Sequence, residues 1–292
     1  MKTQKIMESK FNKCLRKCAG MSFAFAIALC ASLYFSGQTV YAATVYTDKE
    51  TNDSYEEAQL ITRNAQTATQ YVSGQSTVYR YVTGTLSYDD EDWYKISLDS
   101  DDEIYLDLNA GSGTIVVDLY GASNFNVPLS TFQFQQYGNT HVYRVTIPSD
   151  GLYYLRVYHT TTSLSSTYNF TIGNPKYTLG SYTHNFRTTT LAARATWQDT
   201  IDLTTITSIP DRAIGYQVTI GGCTTSVSSK RAFYIDSYGS WTATKITYSY
   251  DLGVTERSSL DQVWGARIES TSSSSNTFTP TMTIRYVAPQ LP

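Results

Sequence analysis

From Val78 onward the chain alternates apolar and polar positions with a period of two, in short runs separated by Gly, Asp and Ser. In the first half these runs are "VYRYVTGTL", "DWYKISL", "EIYLDL", "TIVVDLY", "HVYRVTIP", "LYYLRVYH" and "TYNFTIG". Such spacing predicts an all-β sandwich or barrel. Successive side chains of a strand face opposite ways, so each run has an inward set. Tyr94, Ile96 and Leu98 form one such set, as do Ile104, Leu106 and Leu108, then Ile115, Val117 and Leu119, and finally Tyr153, Leu155 and Val157. Tyr154, Arg156 and Tyr158 fall on the outer face of the last run. They are either ordinary cross-strand neighbours or a contact surface, since Tyr and Arg supply much contact at low ordering cost. One segment predicts a helix: "DSYEEAQLI", with Asp53 or Ser54 as N-cap and Glu56 or Glu57 three residues later. Nothing after Ala65 carries a helical pattern.

The strand pattern breaks at "GNPK", residues 173–176, where Gly and Pro interrupt the alternation. A second series follows: "AIGYQVTI", "RAFYID", "WTATKITYSY", "QVWGARIES" and "FTPTMTIRYV". The expected organisation is two β-sandwich domains, 43–173 and 176–292, with no residue-level repeat between them. "STSSSSN", residues 270–276, reads as a surface loop.

The N-terminus changes the charge picture. Residues 1–42 carry a basic stretch, the apolar run "MSFAFAIALCASLYF" and small residues in "TVYAA", the pattern of a secretory signal peptide. The chain has 22 basic and 25 acidic residues; six and one of these lie in 1–42, leaving 16 and 24, a formal net charge of −8. That balance argues against nucleic acid and anionic membrane as partners, both of which want a basic face. Of four cysteines only Cys223 lies beyond residue 42. An exported chain of this kind cannot staple itself with disulfides and relies on core burial or a metal. The expectation is an extracellular protein with no membrane span after signal cleavage.

Candidate chemistry concentrates at "TDKETNDSYEEAQ", residues 47–59, where Asp48, Glu50, Asn52 and Asp53 stand within six positions. A second oxygen-rich cluster is "SYDDED", residues 87–92. Calcium takes six to eight oxygens, preferably carboxylates and amides from flexible segments, and neither cluster supplies a full shell alone. Helix capping accounts for Asn52, Asp53 and Ser54 without a metal, and a solvated turn accounts for Asp89 to Asp92.

The ordered parts "ETNDSYEEAQLI", "VTGTLSYDDEDWYKISL", "GTIVVDLYG", "PSDGLYYLRVYH" and "STYNFTIG" resemble the bacterial pre-peptidase C-terminal domain over residues 46–172. That family includes the collagen-binding modules of clostridial collagenases. The resemblance implies a jelly-roll-like first sandwich with a short N-terminal helix, used as an accessory module of secreted hydrolases. It also implies a calcium site drawn from Asp48, Glu50, Asn52 and Asp53 together with Ser87, Asp90 and Asp92. Asp48 stands where the collagenase modules carry a glutamate. In those modules an exposed aromatic corresponds to Tyr158.

Catalytic signatures are missing: no HExxH and no GxSxG occurs, and His141, His159, His184 and Cys223 have no local context of a catalytic kind. Trp197, Trp241 and Trp264 in the second half are either core anchors or a sugar-stacking platform. The preferred reading is a secreted, non-catalytic, calcium-stabilised binding or adhesion protein attaching to an extracellular polymer or surface protein. The alternative is a secreted hydrolase with its site in the second domain.

Overall fold

Apolar residues spaced by two on short segments bury best when two sheets face each other, and both halves of the chain do this. The computed structural model describes residues 43–87, 89–111, 113–135, 141–160, 165–223, 229–244 and 249–292; the expected signal peptide lies outside them. Ala42–Pro292 forms one compact unit.

In the first sandwich one sheet runs β1 (Thr44–Thr47), β3 (Arg80–Leu86), β10 (Ser166–Gly173), β5 (Ile104–Ala110) and β8 (His141–Val145). The other runs β2 (Gln59–Leu60), β4 (Glu91–Leu98), β9 (Gly151–His159), β6 (Thr114–Gly121) and β7 (Ser130–Gln135). Setting β1 and β2 aside, the orders 3-10-5-8 and 4-9-6-7 wrap eight strands as paired Greek keys, which is a jelly roll. The inward sets named from the sequence are all buried between the sheets, joined by Phe134, Tyr168 and Phe170.

The second sandwich packs β11 (Tyr177–Asn185), β21 (Thr281–Pro289), β14 (Ile214–Gly221) and β17 (Ser249–Asp251) against β13 (Thr196–Asp202), β19 (Val263–Ser270), β15 (Ser229–Ile235) and β16 (Ser240–Ala243). Its core holds Phe233, Ile235, Trp264, Ile268, Met282 and Ile284. Trp264 is therefore a core anchor. Trp197 packs edge-on against Phe186, and Trp241 lies beside Tyr234.

The helix is not where the sequence pattern put it. Residues 53–57 are a run of bends, and Gln59–Leu60 pair in parallel with Tyr94–Lys95. Tertiary contacts outweigh the capping signal here: Ala58 is buried against Trp93 and Tyr120, and Tyr55 stacks on Phe125. The helix, α1, is Ala68–Val72. Thr67 and Gln70 cap it reciprocally, with Thr67 N donating to Gln70 Oε1 at 2.9 Å and Gln70 N to Thr67 Oγ1 at 3.3 Å. That is a capping box written in "TATQ".

The passage from β10 to β11 is pinned on both sides. Gly173 has φ +127°, and a Cβ there would lie 2.4 Å from Asn64 O. Asn64 N donates to Ile172 O at 2.7 Å, and its amide Nδ2 to Asn174 O at 2.8 Å. Lys176 Nζ reaches Asp107 Oδ1 at 2.5 Å, and Arg212 of the second sandwich donates to Glu103 of the first at 3.0 Å. Gly173→Ala is expected to destabilise the fold by about 2 kcal/mol, because the backbone is left in a region that only glycine occupies cheaply. An unchanged urea midpoint would contradict this.

Candidate functional site: a carboxylate–phenol cluster and the sheet face beside it

β1 runs parallel to β3, and Asp48 N extends that pairing to Thr83 O at 2.9 Å. This lays the acidic N-terminal segment across the start of β4. A turn at 49–52 then brings Asn52 onto the strand. Trp93 N donates to Asn52 O at 2.8 Å, and Asn52 Nδ2 donates to Trp93 O at 3.2 Å. Asn52 and Asp92 are both buried, each 1% exposed.

Two phenols bridge the carboxylates. Tyr94 donates to Asp48 Oδ1 at 3.1 Å, and Tyr168 donates to Asp92 Oδ2 at 2.7 Å. The two hydroxyl oxygens also lie within hydrogen-bonding reach of each other, so the pair shares its two protons among the three contacts. Burial, then the charges of Asp48 and Asp90, pushes the Asp92 carboxyl up to about 8, against the pull of the Tyr168 hydroxyl. Asp48 Oδ2 and Asn52 Oδ1 are buried without a hydrogen-bond partner. Orphaned buried oxygens beside clustered acids are costly, and a cation placed there would relieve both costs.

Of the seven residues expected around a metal, Asp48 and Asp92 are linked through Tyr94 and Tyr168, while Asn52 is bonded to the Trp93 backbone, one position along the strand from Asp92. Asp90 contributes its field to Asp92 while its Oδ2 accepts from Ser87 N at 3.0 Å. Ser87 is exposed, and its carbonyl is engaged by His159 Nε2 at 2.7 Å. Glu50 and Asp53 are exposed. Among the described residues no three His, Cys, Asp or Glu side chains are grouped to hold an ion by themselves. A cation at this site would have to draw on the Asn52 amide and on main-chain or hydroxyl oxygens as well, a mixed donor set that suits calcium. The donors present fit that ion.

The sequence reading places Tyr94 among the inward residues and gives Tyr168 no role, because period two marks core positions and hides the polar ends of tyrosines.

The pH dependence follows from Asp92. In the unfolded chain its proton leaves near pH 4; in the metal-free fold it is retained up to about pH 8. Between those values the folded state binds more protons, so stability falls as pH rises. In chelator the urea midpoint is expected to be lower at pH 8 than at pH 5, with a shallower fall in Asp92→Asn. Equal slopes in the two proteins would contradict the assignment.

On the outer face of the same sheet, Arg156 is held by an ion pair with Glu91. Its guanidinium lies 4.5 Å from the Tyr158 ring centroid and 5.9 Å from that of Trp93. Phe125, from the loop after β6, packs edge-on against Tyr154 at 5.0 Å. Tyr154, Arg156 and Tyr158 are thus half-buried in a network rather than openly displayed. Trp93 and Tyr120 beneath them are buried.

Residues 90–159, from the acidic loop to the end of β9, match the family model of the bacterial pre-peptidase C-terminal domain. That match lies wholly within the first sandwich. The solved pre-peptidase C-terminal domain of a Bacillus anthracis collagenase is 21% identical, with a TM-score of 0.28, over 39% of this chain and 93% of that one. A solved Eubacterium rectale protein described as secreted is 13% identical, covering 87% of this chain and 84% of its own with a TM-score of 0.52. That second likeness extends through both sandwiches and shows a shared fold. Comparison with curated proteins finds no match. Among the described residues no helix is long and apolar enough to cross a membrane.

Proposed function

We propose that the chain is an exported binding protein without chemistry of its own. Its pre-peptidase C-terminal domain is stabilised by calcium, and the chain attaches to an extracellular polymer or surface protein. The signal-like segment at 1–42 supports export. The observation that carries the calcium reading is the pair of orphaned oxygens, Asp48 Oδ2 and Asn52 Oδ1, beside buried Asp92.

In this reading Asp48, Asn52 and Asp92 hold the ion, with Asp90, Ser87, Glu50 and Asp53 as the nearby acidic and hydroxyl supply. When bound, calcium supplies the positive charge that lets these carboxylates stand together ionised. Tyr94 and Tyr168 fix the carboxylate orientations from the core side. Because Asn52 is bonded to Trp93, ordering the N-terminal segment also orders the outer face on which Trp93, Arg156 and Tyr158 sit. That face, including Tyr154, is the proposed contact surface.

Titration calorimetry on the chelator-stripped protein is expected to show saturable calcium binding that is lost in Asp92→Asn. No heat from the wild type at millimolar calcium would overturn the reading.

A second reading, a hydrolase, is favoured by a 550 Å³ cavity in the second sandwich that Asp211 and Asp261 line along with Thr204 and Thr207. Turnover of a protein or polysaccharide substrate that disappears in Asp211→Asn/Asp261→Asn would establish it.

A further inference from the structure

Eight large hydrophobic residues stand exposed among those described, and five of them (Tyr55, Leu60, Val127, Leu129 and Leu152) belong to one side of the first sandwich. Strand register places two of these on the outer face of the β2-β4-β9-β6-β7 sheet. Leu60 is opposite Lys95, which is opposite Tyr154, which is opposite Tyr120. Leu152 is opposite Ser97, on the same face. The loop carrying Val127 and Leu129 also carries Phe125, which packs on Tyr154 of that row. Tyr55 stacks on Phe125 with ring centroids 4.0 Å apart. Grouped exposed apolar side chains on an exported chain mark an interaction surface.

The chemistry of the patch selects its occupant. A sugar ring needs an open aromatic face, but Trp93 and Tyr120 are buried and Tyr55 lies over Phe125. What meets solvent is chiefly aliphatic, with Leu60 at 62% and Val127 at 64% exposure. The strap that carries Tyr55 is acidic: Asp53, Glu56 and Glu57 are all exposed. Charges on the rim of an interface select the sign of the partner. A second copy of the chain would bring the same acidic strap, with Lys95 inside the row as a cation, and so fits the rim less well than a basic partner.

We propose that this face docks a protein partner presenting aliphatic or aromatic side chains flanked by Lys or Arg. This deepens the binding-protein reading and rests on it. The contact is centred on Leu60, Leu152 and the Phe125 loop, and it adjoins the Tyr154–Arg156–Tyr158 network on the same face.

The test is a phage-displayed peptide selection on the full chain in calcium, with the enriched peptides then titrated against wild type and Leu60→Asp/Leu152→Asp. Both sites are exposed; circular dichroism checks folding, and Leu60→Ser/Leu152→Ser replaces the Asp pair if it fails. The expected result is enrichment of apolar cores with basic flanks, binding at least tenfold weaker in the double variant, and further weakening with salt. Peptides that bind both proteins equally overturn the proposal, as does a wild-type dimer that the double variant disperses in light scattering. Retention on cellulose, chitin or peptidoglycan with no peptide enriched overturns the protein partner but leaves the binding-protein reading standing. No retention and no enrichment overturns both.

Discussion

Lys176→Met is expected to lower the stability of the folded chain by about 3 kcal/mol. Asp107 is almost wholly buried on the outer face of the first sheet, and Lys176 Nζ, 2.5 Å away, is its ion-pair partner. The other carboxylate oxygen of Asp107 is buried without a partner. Burial pushes the Asp107 carboxyl up, and the lysine only partly pulls it back. Without the lysine, burial pushes the Asp107 carboxyl further up, which eases the cost of its charge and holds the loss to the lower end of the range of about 3–5 kcal/mol for breaking a buried pair. Lys176→Met/Asp107→Leu is expected to recover most of the loss, since an apolar pair of similar volume leaves no charge unpaired. Urea unfolding followed by tryptophan fluorescence reads this, with Trp93 in the first sandwich and Trp197, Trp241 and Trp264 in the second. A single variant that unfolds at the wild-type midpoint contradicts the role given to the pair.

Legibility in the sequence followed how much apolar surface each strand buries. The runs at 104–108, 114–120 and 152–159 alternate because one face lies in the core, and they became β5, β6 and β9. β11 and β13 went unread: their inward positions are few and part-buried, Tyr182 on one and Trp197 and Ile201 on the other, among Thr, Ser and Asp. "TATQ" states its helix plainly, yet five residues without an apolar stripe give no periodicity to find. "DSYEEAQLI" shows the reverse: a sound local signal overridden because Ala58 and Tyr55 have better partners on the neighbouring sheet.

The candidate site was legible as composition and not as geometry. Asp48 and Asp92 are joined through Tyr94 and Tyr168 because β1 pairs with β3, and Asn52 reaches β4 because the 49–52 turn docks on Trp93. Glu50 and Asp53 have the same chemistry and nearly the same sequence position, but the turn points them to solvent. The outer-face stripe was likewise placed on the correct side of β9. Its engagement by Glu91, Trp93 and Phe125 depends on neighbours far away in sequence.

Calcium should have the second large effect. An ion that binds only the folded chain stabilises it by about 2.7 kcal/mol at a hundredfold excess over its dissociation constant. The gain requires Asp48, Asn52 and Asp92 to be assembled, which the unfolded chain does not do. Asp92→Asn removes a buried carboxylate while keeping the shape and the acceptor for Tyr168. It should therefore fold, and melt at nearly the same temperature with calcium or chelator.

Differential scanning calorimetry of wild type and Asp92→Asn, each in millimolar calcium and in chelator, tests this most directly. The predicted result is a rise of several degrees with calcium in the wild type and almost none in the variant. Equal melting temperatures for the wild type in calcium and in chelator would contradict the calcium-stabilised domain.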